Sequence, residues 1–552
     1  MWTENRTQEN VMDPQQILTC LNFGRVDGET DNRFESCFIG TEMLRQVLLP
    51  QHSLIVGNKG SGKSAICRLL CDDLQKVKPL LPKNFDDVYC IPAYGLQNEE
   101  FFPALDSLEI RPETVDDFRY HWLLYLGLKL SRWLVEDERL KTMIEQGKDE
   151  EVKRAFATLH RALMDVELID NPGVFTKLKH RFTIKQSPDK NKRERKSGTE
   201  EKPYNAEFRE KTGMSIIALL ENVDTVLRGT NRLAWLMLDK LDLLYVDDIT
   251  KLRASITGLV QLLVQYGNQF KNIHFKIFLR NDIYRQLHIV NKSHLISYTT
   301  EMRWRGPLLL KLLAARAIVD SNVREYCSQI IGSKIDITDV ILGSDDYVKK
   351  IFYAIFEDTM VGAGLQENAP ATDQWILRRL IDGTESSFPR ELIHLGNKAV
   401  EMQRELNRSA AEHRSARLIS PKALREAFHE ISKYRCDTYL YSEFPHLSKH
   451  FDVFRGSDTT TFHREELYML FEPLSPKSDE AIRALYDTGI LHPLGKNVDS
   501  SRKFSVPLLY RSGLGMTDRS KSSHPRHRKH HGQKSMDKNS DERTVQEYPK
   551  MN

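Results

Sequence analysis

The stretch GNKGSGKS, residues 57–64, contains the residue types that bind a phosphate group. It fits the pattern G-x-x-x-x-G-K-[ST] at every fixed position. Glycines let the backbone close around a phosphate and point successive N–H groups inward, because they carry no Cβ. A lysine then neutralises the outer phosphates, and a hydroxyl oxygen binds Mg²⁺. We therefore predict that ATP is bound by Gly57, Asn58, Lys59, Gly60, Ser61, Gly62, Lys63 and Ser64, with Ser64 also a magnesium ligand.

The sequence on either side of this stretch predicts the elements that position it. SLIV, residues 53–56, is a short apolar run typical of a strand. AICRLLCDDL, residues 65–74, has its apolar residues at helical spacing. The chain thus reads strand, glycine-rich loop, helix, and the helix N-terminus adds positive potential at the phosphate. This context disfavours the alternative, a surface turn that matches the pattern by chance.

A second apolar run supplies a carboxylate for the metal. LAWLMLDKLDLLY, residues 233–245, begins like a buried parallel strand, and Asp239 stands at its C-terminal edge. Ligands of open α/β sheets bind at that edge, so we predict that Asp239 serves the magnesium. Lys240 follows it and cannot act as a base while charged. Asp242 is the candidate for orienting the attacking water, and a helix N-cap or a solvated loop residue is an equally weighted alternative.

Two later segments supply further candidates for the catalytic set. FKIFLRND, residues 275–282, predicts a strand that ends in polar residues, where Arg280 or Asn281 would contact the γ-phosphate. The alternative is that Arg280 and Asp282 only pair across a tight turn. SSFPRELIHLGNKAV, residues 386–400, predicts a helix that starts at a proline. Arg390 at its start would reach back to the nucleotide, unless it is an ordinary surface arginine.

Five stretches in this order resemble a poorly characterised family of bacterial P-loop ATPases related to the AAA-like, STAND and KAP groups. They are GNKGSGKSAI, LDKLD, FLRNDIY, FPRELIHLGNKA and FSVPLLYRSGLG, and the resemblance spans residues 20–516. It implies an α/β fold: a P-loop NTPase core with an AAA-like parallel sheet and a helical insertion, a helical lid, and a C-terminal winged helix. On the family pattern Lys63 and Ser64 bind phosphate and magnesium, Asp239 serves the magnesium, and Arg390 resembles a second sensor. Lys240 departs from the acidic pair of better-known relatives.

The function that the resemblance implies is a nucleotide-driven conformational switch. Many relatives use ATP in this way, and several take part in bacterial defence against phage. We therefore expect an ATP-binding and ATP-hydrolysing protein, an ATPase that cleaves a phosphoric anhydride, with an implied role in antiviral defence. The alternatives are a DNA-associated ATPase, a loader or motor that uses its winged helix, and a regulatory protein that binds ATP without hydrolysing it.

The order of patterns along the chain predicts its domain organisation. We expect a polar lead-in (1–36), the ATPase core (37–305), a helical lid (306–415), a winged helix (416–516) and a disordered basic, His-rich tail (517–552). Residues 95–231 would form a mostly helical insertion with a charged flexible loop at 184–205. An aromatic stripe within 117–140 is expected to serve packing, and its members are Trp122, Tyr125, Leu126, Leu130 and Trp133.

The predicted winged helix carries the wrong charge for DNA. Its recognition-helix candidate, residues 478–488, has three acidic residues and one arginine, which disfavours contact with phosphates. We therefore expect a protein partner or self-association through the lid and winged helix, with nucleic acid as the weaker alternative.

Composition limits the remaining possibilities. At 552 residues the chain is too long for one hydrophobic core, and its formal net charge of +3 excludes a polycation. Seven cysteines without CxxC spacing suit a reducing compartment. No apolar run approaches the roughly 20 residues that a spanning helix needs. We expect a soluble, cytoplasmic protein without membrane contact.

Overall fold

The computed structural model describes most of the chain. The described residues are 13–26, 31, 42–72, 74–77, 88–94, 112–166, 208–209, 212–245, 247–289, 292–361, 369–409 and 417–517. The predicted charged loop at 184–205 lies outside them. So do the tail beyond Thr517 and most of the predicted lead-in.

A parallel five-stranded sheet forms the centre of the first half of the chain. Its order is β2-β3-β4-β1-β5, and all four neighbouring pairs run parallel. Almost every residue of the central strands is buried, as expected for a sheet covered on both faces. The predicted α/β class with a parallel sheet is confirmed. The strands are β1 (Leu54–Gly57), β2 (Val88–Tyr94), β3 (Leu233–Leu238), β4 (Ile273–Arg280) and β5 (Thr299–Glu301).

Helices make up most of the remaining described structure. In chain order they are α1 (Pro14–Cys20), α2 (Glu42–Leu48), α3 (Lys63–Asp72), α4 (Leu74–Val77), α5 (Val115–Glu136), α6 (Glu138–Gln146), α7 (Glu150–Asp165), α8 (Ile216–Gly229), α9 (Ile249–Tyr266), α10 (Asn281–Gln286), α11 (Gly306–Ala317), α12 (Ser321–Ile331), α13 (Ile337–Leu342), α14 (Asp345–Ile355), α15 (Thr372–Arg379), α16 (Pro389–Ser409), α17 (Pro421–Arg435), α18 (Ser448–Asp452), α19 (Arg464–Phe471), α20 (Ser478–Asp487) and α21 (Leu508–Arg511). A π-helical turn, Cys436–Tyr441, continues α17.

Helices cover the two faces of the sheet. On one face α2 and α3 pack against alternate residues of the strands, among them Ile55, Trp235 and Phe278. On the other face α5, α7, α8 and α9 build a larger apolar core. We call this sheet with its covering helices, residues 42–301, the α/β body.

The predicted helix over 117–140 is two helices that meet at Asp137. The Asp137 carboxylate accepts from the backbone N–H of Leu140 and so starts α6 as a new helix. Four of the five stripe residues are buried, and Trp133 is half-buried. The indole of Trp122 donates to the Ser255 carbonyl of α9 at 3.0 Å, and Tyr125 donates to the Ala93 carbonyl of β2. These contacts join the insertion to the sheet.

The second half of the chain forms one continuous apolar core. Buried residues of α1, α11–α17 and the C-terminal elements up to Met516 belong to the same cluster. The predicted lid and the predicted domain at 416–516 therefore pack together, and we call them, with α1, the helical body. It includes a small antiparallel sheet of order β6-β8-β7, made of β6 (Thr461–His463), β7 (His492–Pro493) and β8 (Lys503–Ser505).

A buried lysine links β4 to the turn that precedes β1. The ammonium of Lys276 donates to the carbonyls of Val47, Leu49 and His52 at 2.5–2.8 Å. It lies 4.5 Å from the centre of the Trp235 ring, a cation–π distance. Burial lowers its pKa to about 7.

Across the described ranges, none of the helices combines the length and the apolar character needed to cross a bilayer.

Candidate functional site

The glycine-rich loop joins β1 to α3 and is shaped by its glycines. Gly60 and Gly62 have φ of +86° and +92°, a region that favours glycine. A Cβ on Gly60 would stand 3.3 Å from the Cβ of Arg390, and one on Gly57 would stand 2.5 Å from Oγ of Ser61. Glycine is thus required both by the turn and by the close approach of neighbouring side chains.

Lys63 is the first residue of α3, and its side chain folds back into the loop. The ammonium donates to the carbonyls of Gly57 at 2.9 Å and Asn58 at 3.0 Å. Burial lowers its pKa to about 8, although the nearby Asp239 carboxylate acts in the opposite direction. A buried ammonium whose two partners are neutral carbonyls can exchange them for an anion, because an anion accepts stronger hydrogen bonds from it.

Asp239 directly follows β3, and its carboxylate meets the start of α3. The side chain is only 2 % exposed and lies close to the Ser64 hydroxyl. Its second oxygen, Oδ2, is buried without a hydrogen-bond partner among the described residues. Burial raises the pKa of this carboxyl group, while the nearby Ser64 hydroxyl and the charge of Lys63 oppose the rise. A hydroxyl beside a buried, under-bonded carboxylate is an oxygen pair that suits Mg²⁺.

These groups face a cavity of about 320 Å³ between the carboxyl edge of the sheet and the helical body. The volume falls within the range of small-molecule sites. One wall comes from the α/β body and from Trp304, which follows it. Its residues in the α/β body are Lys59, Gly60, Gly62, Lys63, Ser64, Ala65, Asp239, Lys240, Leu241, Asp242, Leu243, Phe278, Leu279 and Arg280. The other wall comes from the helical body and its N-terminal segment: Arg25, Val26, Leu312, Arg316, Pro389, Arg390 and Ile393.

Arg280, at the end of β4, is the centre of an ion-pair network. It donates to both oxygens of Asp282, at 3.1 and 2.8 Å, so the predicted alternative of a pair across the turn is present. It also donates to Asp242 at 3.2 Å and to Glu443 at 3.0 Å. Burial alone would lower its pKa, but these carboxylates outweigh burial and raise it, so the guanidinium stays charged. Arg280 therefore both pairs with Asp282 and lines the cavity.

Asp242 lies in a short 3₁₀ turn, residues 241–243, after Asp239. Its carboxylate points to Arg280 and lines the cavity, in a position that is neither of the predicted alternatives, an N-cap or a solvated loop. Lys240 between the two acids has φ of +53°, a left-handed conformation. This turn places the Asp242 carboxylate 3.2 Å from the guanidinium of Arg280, at the end of β4.

The other predicted residues divide between the cavity and its surroundings. Arg390, second residue of α16, lies against Gly60 and lines the cavity. Asn281 is buried at the start of α10, outside the set of described side chains that form the cavity wall. The Asn58 amide instead approaches the Thr384 hydroxyl, at 3.5 Å, and the carbonyl of Ser61 accepts from the indole of Trp304 at 2.7 Å.

Sequence reasoning missed Glu443, whose carboxylate pairs with both Lys59 and Arg280. It missed the N-terminal contribution to the cavity as well. Arg316 of α11 pairs there with Asp31 at 2.5 Å, a buried ion pair beside Arg25. No local pattern marks these residues, because each depends on a contact between distant parts of the chain.

The chain matches no known family model. A comparison with curated proteins gives no significant match either.

Proposed function

We propose that this chain is an ATP-binding and ATP-hydrolysing P-loop protein of AAA-like type, in which the nucleotide drives a conformational switch. One observation carries the proposal. The Ser64 hydroxyl, at the end of the glycine-rich loop, lies beside the buried Asp239 carboxylate, which follows a different strand, and opposes the rise that burial causes in the pKa of that carboxyl group. A loop, an ammonium and an under-bonded carboxylate at one edge of a parallel sheet are the groups that a triphosphate and its metal require.

Each residue would have a distinct part in the reaction. Lys63 and the loop amides would bind the phosphates, and Arg390 would add a positive charge from the helical body. Ser64 and Asp239 would hold Mg²⁺, which supplies charge neutralisation at the phosphates. Asp242 would orient the water that attacks the γ-phosphorus in line with the bond to the leaving oxygen. That attack cleaves the anhydride and releases phosphate, and the water's protons pass to solvent.

The C-terminal elements support a regulatory winged helix more than a DNA reader. A strand, two helices and two further strands, with the three strands in one antiparallel sheet, suit that fold. Within α20, Arg483 is paired with Asp499 at 2.7 Å, and Asp487 is paired with Arg285 of the α/β body at 3.3 Å. This helix therefore contacts its own chain with its charged groups. We propose a protein partner or self-association for this part; the role in antiviral defence is carried by the sequence resemblance alone.

A second candidate is a protein that binds ATP without hydrolysing it. The Asp242 carboxylate is bound to Arg280, so water would have to compete with a guanidinium for it. The residue directly after Asp239 is Lys240, so no second acidic side chain stands at that position. These observations favour slow turnover, and turnover is what separates the two candidates.

The test measures ATP binding by calorimetry and phosphate release, with and without duplex DNA, for wild type and three variants. Lys63→Met should weaken ATP binding about 10- to 100-fold, because one charge-assisted hydrogen bond in a buried site contributes about 1.5–3 kcal/mol. Asp242→Asn should keep binding and reduce phosphate release. Lys251→Met, on the exposed face of α9, is the control and should change neither.

Each outcome decides between the candidates. Equal ATP affinity of wild type and Lys63→Met, both folded, would remove the nucleotide site altogether. ATP binding without any phosphate release would establish the non-hydrolysing candidate. Stimulation of phosphate release by DNA would favour a DNA-associated ATPase over a switch for a protein partner.

A further inference from the structure

We propose that the Glu443 carboxylate pairs with cations that would otherwise bind the terminal phosphate of ATP. ATP must then displace Glu443, and this displacement releases the C-terminal part of the chain. This inference rests on the proposed function and names its regulation. We call the contact Lys59–Glu443–Arg280 the Glu443 bridge.

The Glu443 bridge joins the two bodies through both oxygens of one carboxylate. Oε1 accepts from the ammonium of Lys59, in the glycine-rich loop, and Oε2 accepts from Arg280 at 3.0 Å. The side chain is about three-quarters buried. Burial alone would raise the pKa of Glu443, but the two cations lower it, so the group is charged at neutral pH. It is thus a permanent anion at the edge of the cavity.

Both cations of the bridge line the same cavity as Lys63 and Arg390. They also lie at the same edge of the sheet, because Gly57, two residues before Lys59, is paired in register with Arg280. Lysine and arginine recognise carboxylate and phosphate oxygens by the same charge-assisted hydrogen bonds. A carboxylate that uses these two donors therefore competes directly with a phosphate for them.

The charges around Arg280 leave no room for both anions. The guanidinium already faces the three carboxylates Asp242, Asp282 and Glu443, and Lys59 pairs with Glu443 as a second positive charge. A phosphate adds further negative charge, so one carboxylate has to leave. Asp242 and Asp282 belong to the same body as Arg280 and follow strand ends next to it. Glu443 comes from the helical body and is the group that can leave without unfolding the sheet edge.

The element that carries Glu443 is tied to the helix that carries Arg390. Glu443 follows the π-helical turn at the end of α17, an irregularity common at functional sites. Arg435 of α17 pairs with Glu391 of α16 at 2.6 Å, and both side chains are only 5 % exposed. One two-helix unit therefore brings the Arg390 cation to the cavity wall and the Glu443 anion to two cations of that wall. A bound phosphate attracts Arg390 and repels Glu443, so the two-helix unit rotates relative to the α/β body.

The test compares Glu443→Gln with Asp487→Asn in the full-length protein. Asp487 pairs with Arg285 across the same boundary, at 3.3 Å, so its variant loosens the interface without removing a competitor for phosphate. Affinities for ATP, ADP and AMP are measured by calorimetry. Glu443→Gln should raise ATP affinity about tenfold and AMP affinity less than twofold. Asp487→Asn should change the three affinities alike.

Hydrogen exchange of residues 436–447 supplies a measurement on the wild type itself. ATP should increase exchange in this segment, and Glu443→Gln should show the increased exchange without nucleotide. The proposal is overturned if wild type binds ATP while Glu443→Gln binds it no more tightly, or if ATP leaves the exchange of the segment unchanged; both results leave the nucleotide site intact. Absence of ATP binding by wild type overturns the proposed function and this inference together.

Discussion

On the proposed function, the buried position of Lys63 should make ATP affinity depend on pH in a range where an ordinary lysine would not titrate. Burial lowers the pKa of this group to about 8. In the free site it is therefore charged in about nine-tenths of the molecules at pH 7 and in about one-tenth at pH 9. A phosphate binds strongly only to the charged form. We expect ATP affinity to fall about tenfold between pH 7 and pH 9.

The stability of the nucleotide-free protein should change in the opposite direction. Between pH 8 and 10.5 the unfolded chain binds a proton at Lys63 that the folded chain has lost, so the free energy of unfolding rises with pH in this window. A shift from 10.5 to about 8 corresponds to about 3 kcal/mol when complete. Other buried lysines add to the change, and the difference between wild type and Lys63→Met isolates this one.

The assay is a set of ATP dissociation constants at pH 7, 8 and 9 for wild type, Lys63→Met and Lys251→Met. Wild type and Lys251→Met should lose affinity with the same midpoint near pH 8, and Lys63→Met should bind weakly at every pH. Urea unfolding at pH 8 and pH 10 supplies the stability difference. A flat affinity for wild type, or a decline that Lys63→Met retains in full, would refute the argument from burial.

Two further predictions concern stability and the loop. Gly60→Ala places a Cβ on a residue with φ of +86°, 3.3 Å from the Cβ of Arg390. We therefore expect the free energy of unfolding to fall by about 1–2 kcal/mol and ATP binding to weaken. Gly332→Ala is the control, because Gly332 has φ of +75° but no atom within 4 Å of the added Cβ. It should lower the free energy of unfolding through backbone strain and leave ATP binding unchanged. Arg435→Met leaves the Glu391 carboxylate buried and should cost about 3–5 kcal/mol in urea unfolding. Arg483→Met breaks a pair of nearly the same length that is 61 % exposed, so it should lower the free energy of unfolding much less than Arg435→Met; equal losses would contradict the role of burial.

The glycine-rich loop and the Asp239 carboxylate could be located from the sequence because their signals are local. A glycine pattern between an apolar run and a helical pattern specifies strand, turn and helix without knowledge of the rest of the chain. Asp239 follows from the same reasoning, since a carboxylate at the end of a buried strand faces the ligand edge of the sheet. In the structure the Ser64 hydroxyl and the Asp239 carboxylate lie close together.

The parts that sequence reasoning could not supply depend on long-range contacts. Glu443 lies 163 positions after Arg280, and only the packing of the two bodies brings them together. Asn281 lies next to Arg280 in sequence, yet α10 starts at Asn281 and turns its side chain into the protein. The break at Asp137 was hidden by a continuous amphipathic pattern across both helices.

The lysine in the middle of β4 determines the spacing of the site from the far end of the strand. Lys276 is four residues before Arg280, about 13 Å along an extended chain. Its three hydrogen bonds to the end of α2 and to the turn before β1 keep β4 from sliding against β1. A slip of one residue would place Arg280 on the opposite face of the sheet. Lys276 therefore fixes the register in which Arg280 lies opposite Gly57, the first glycine of the loop.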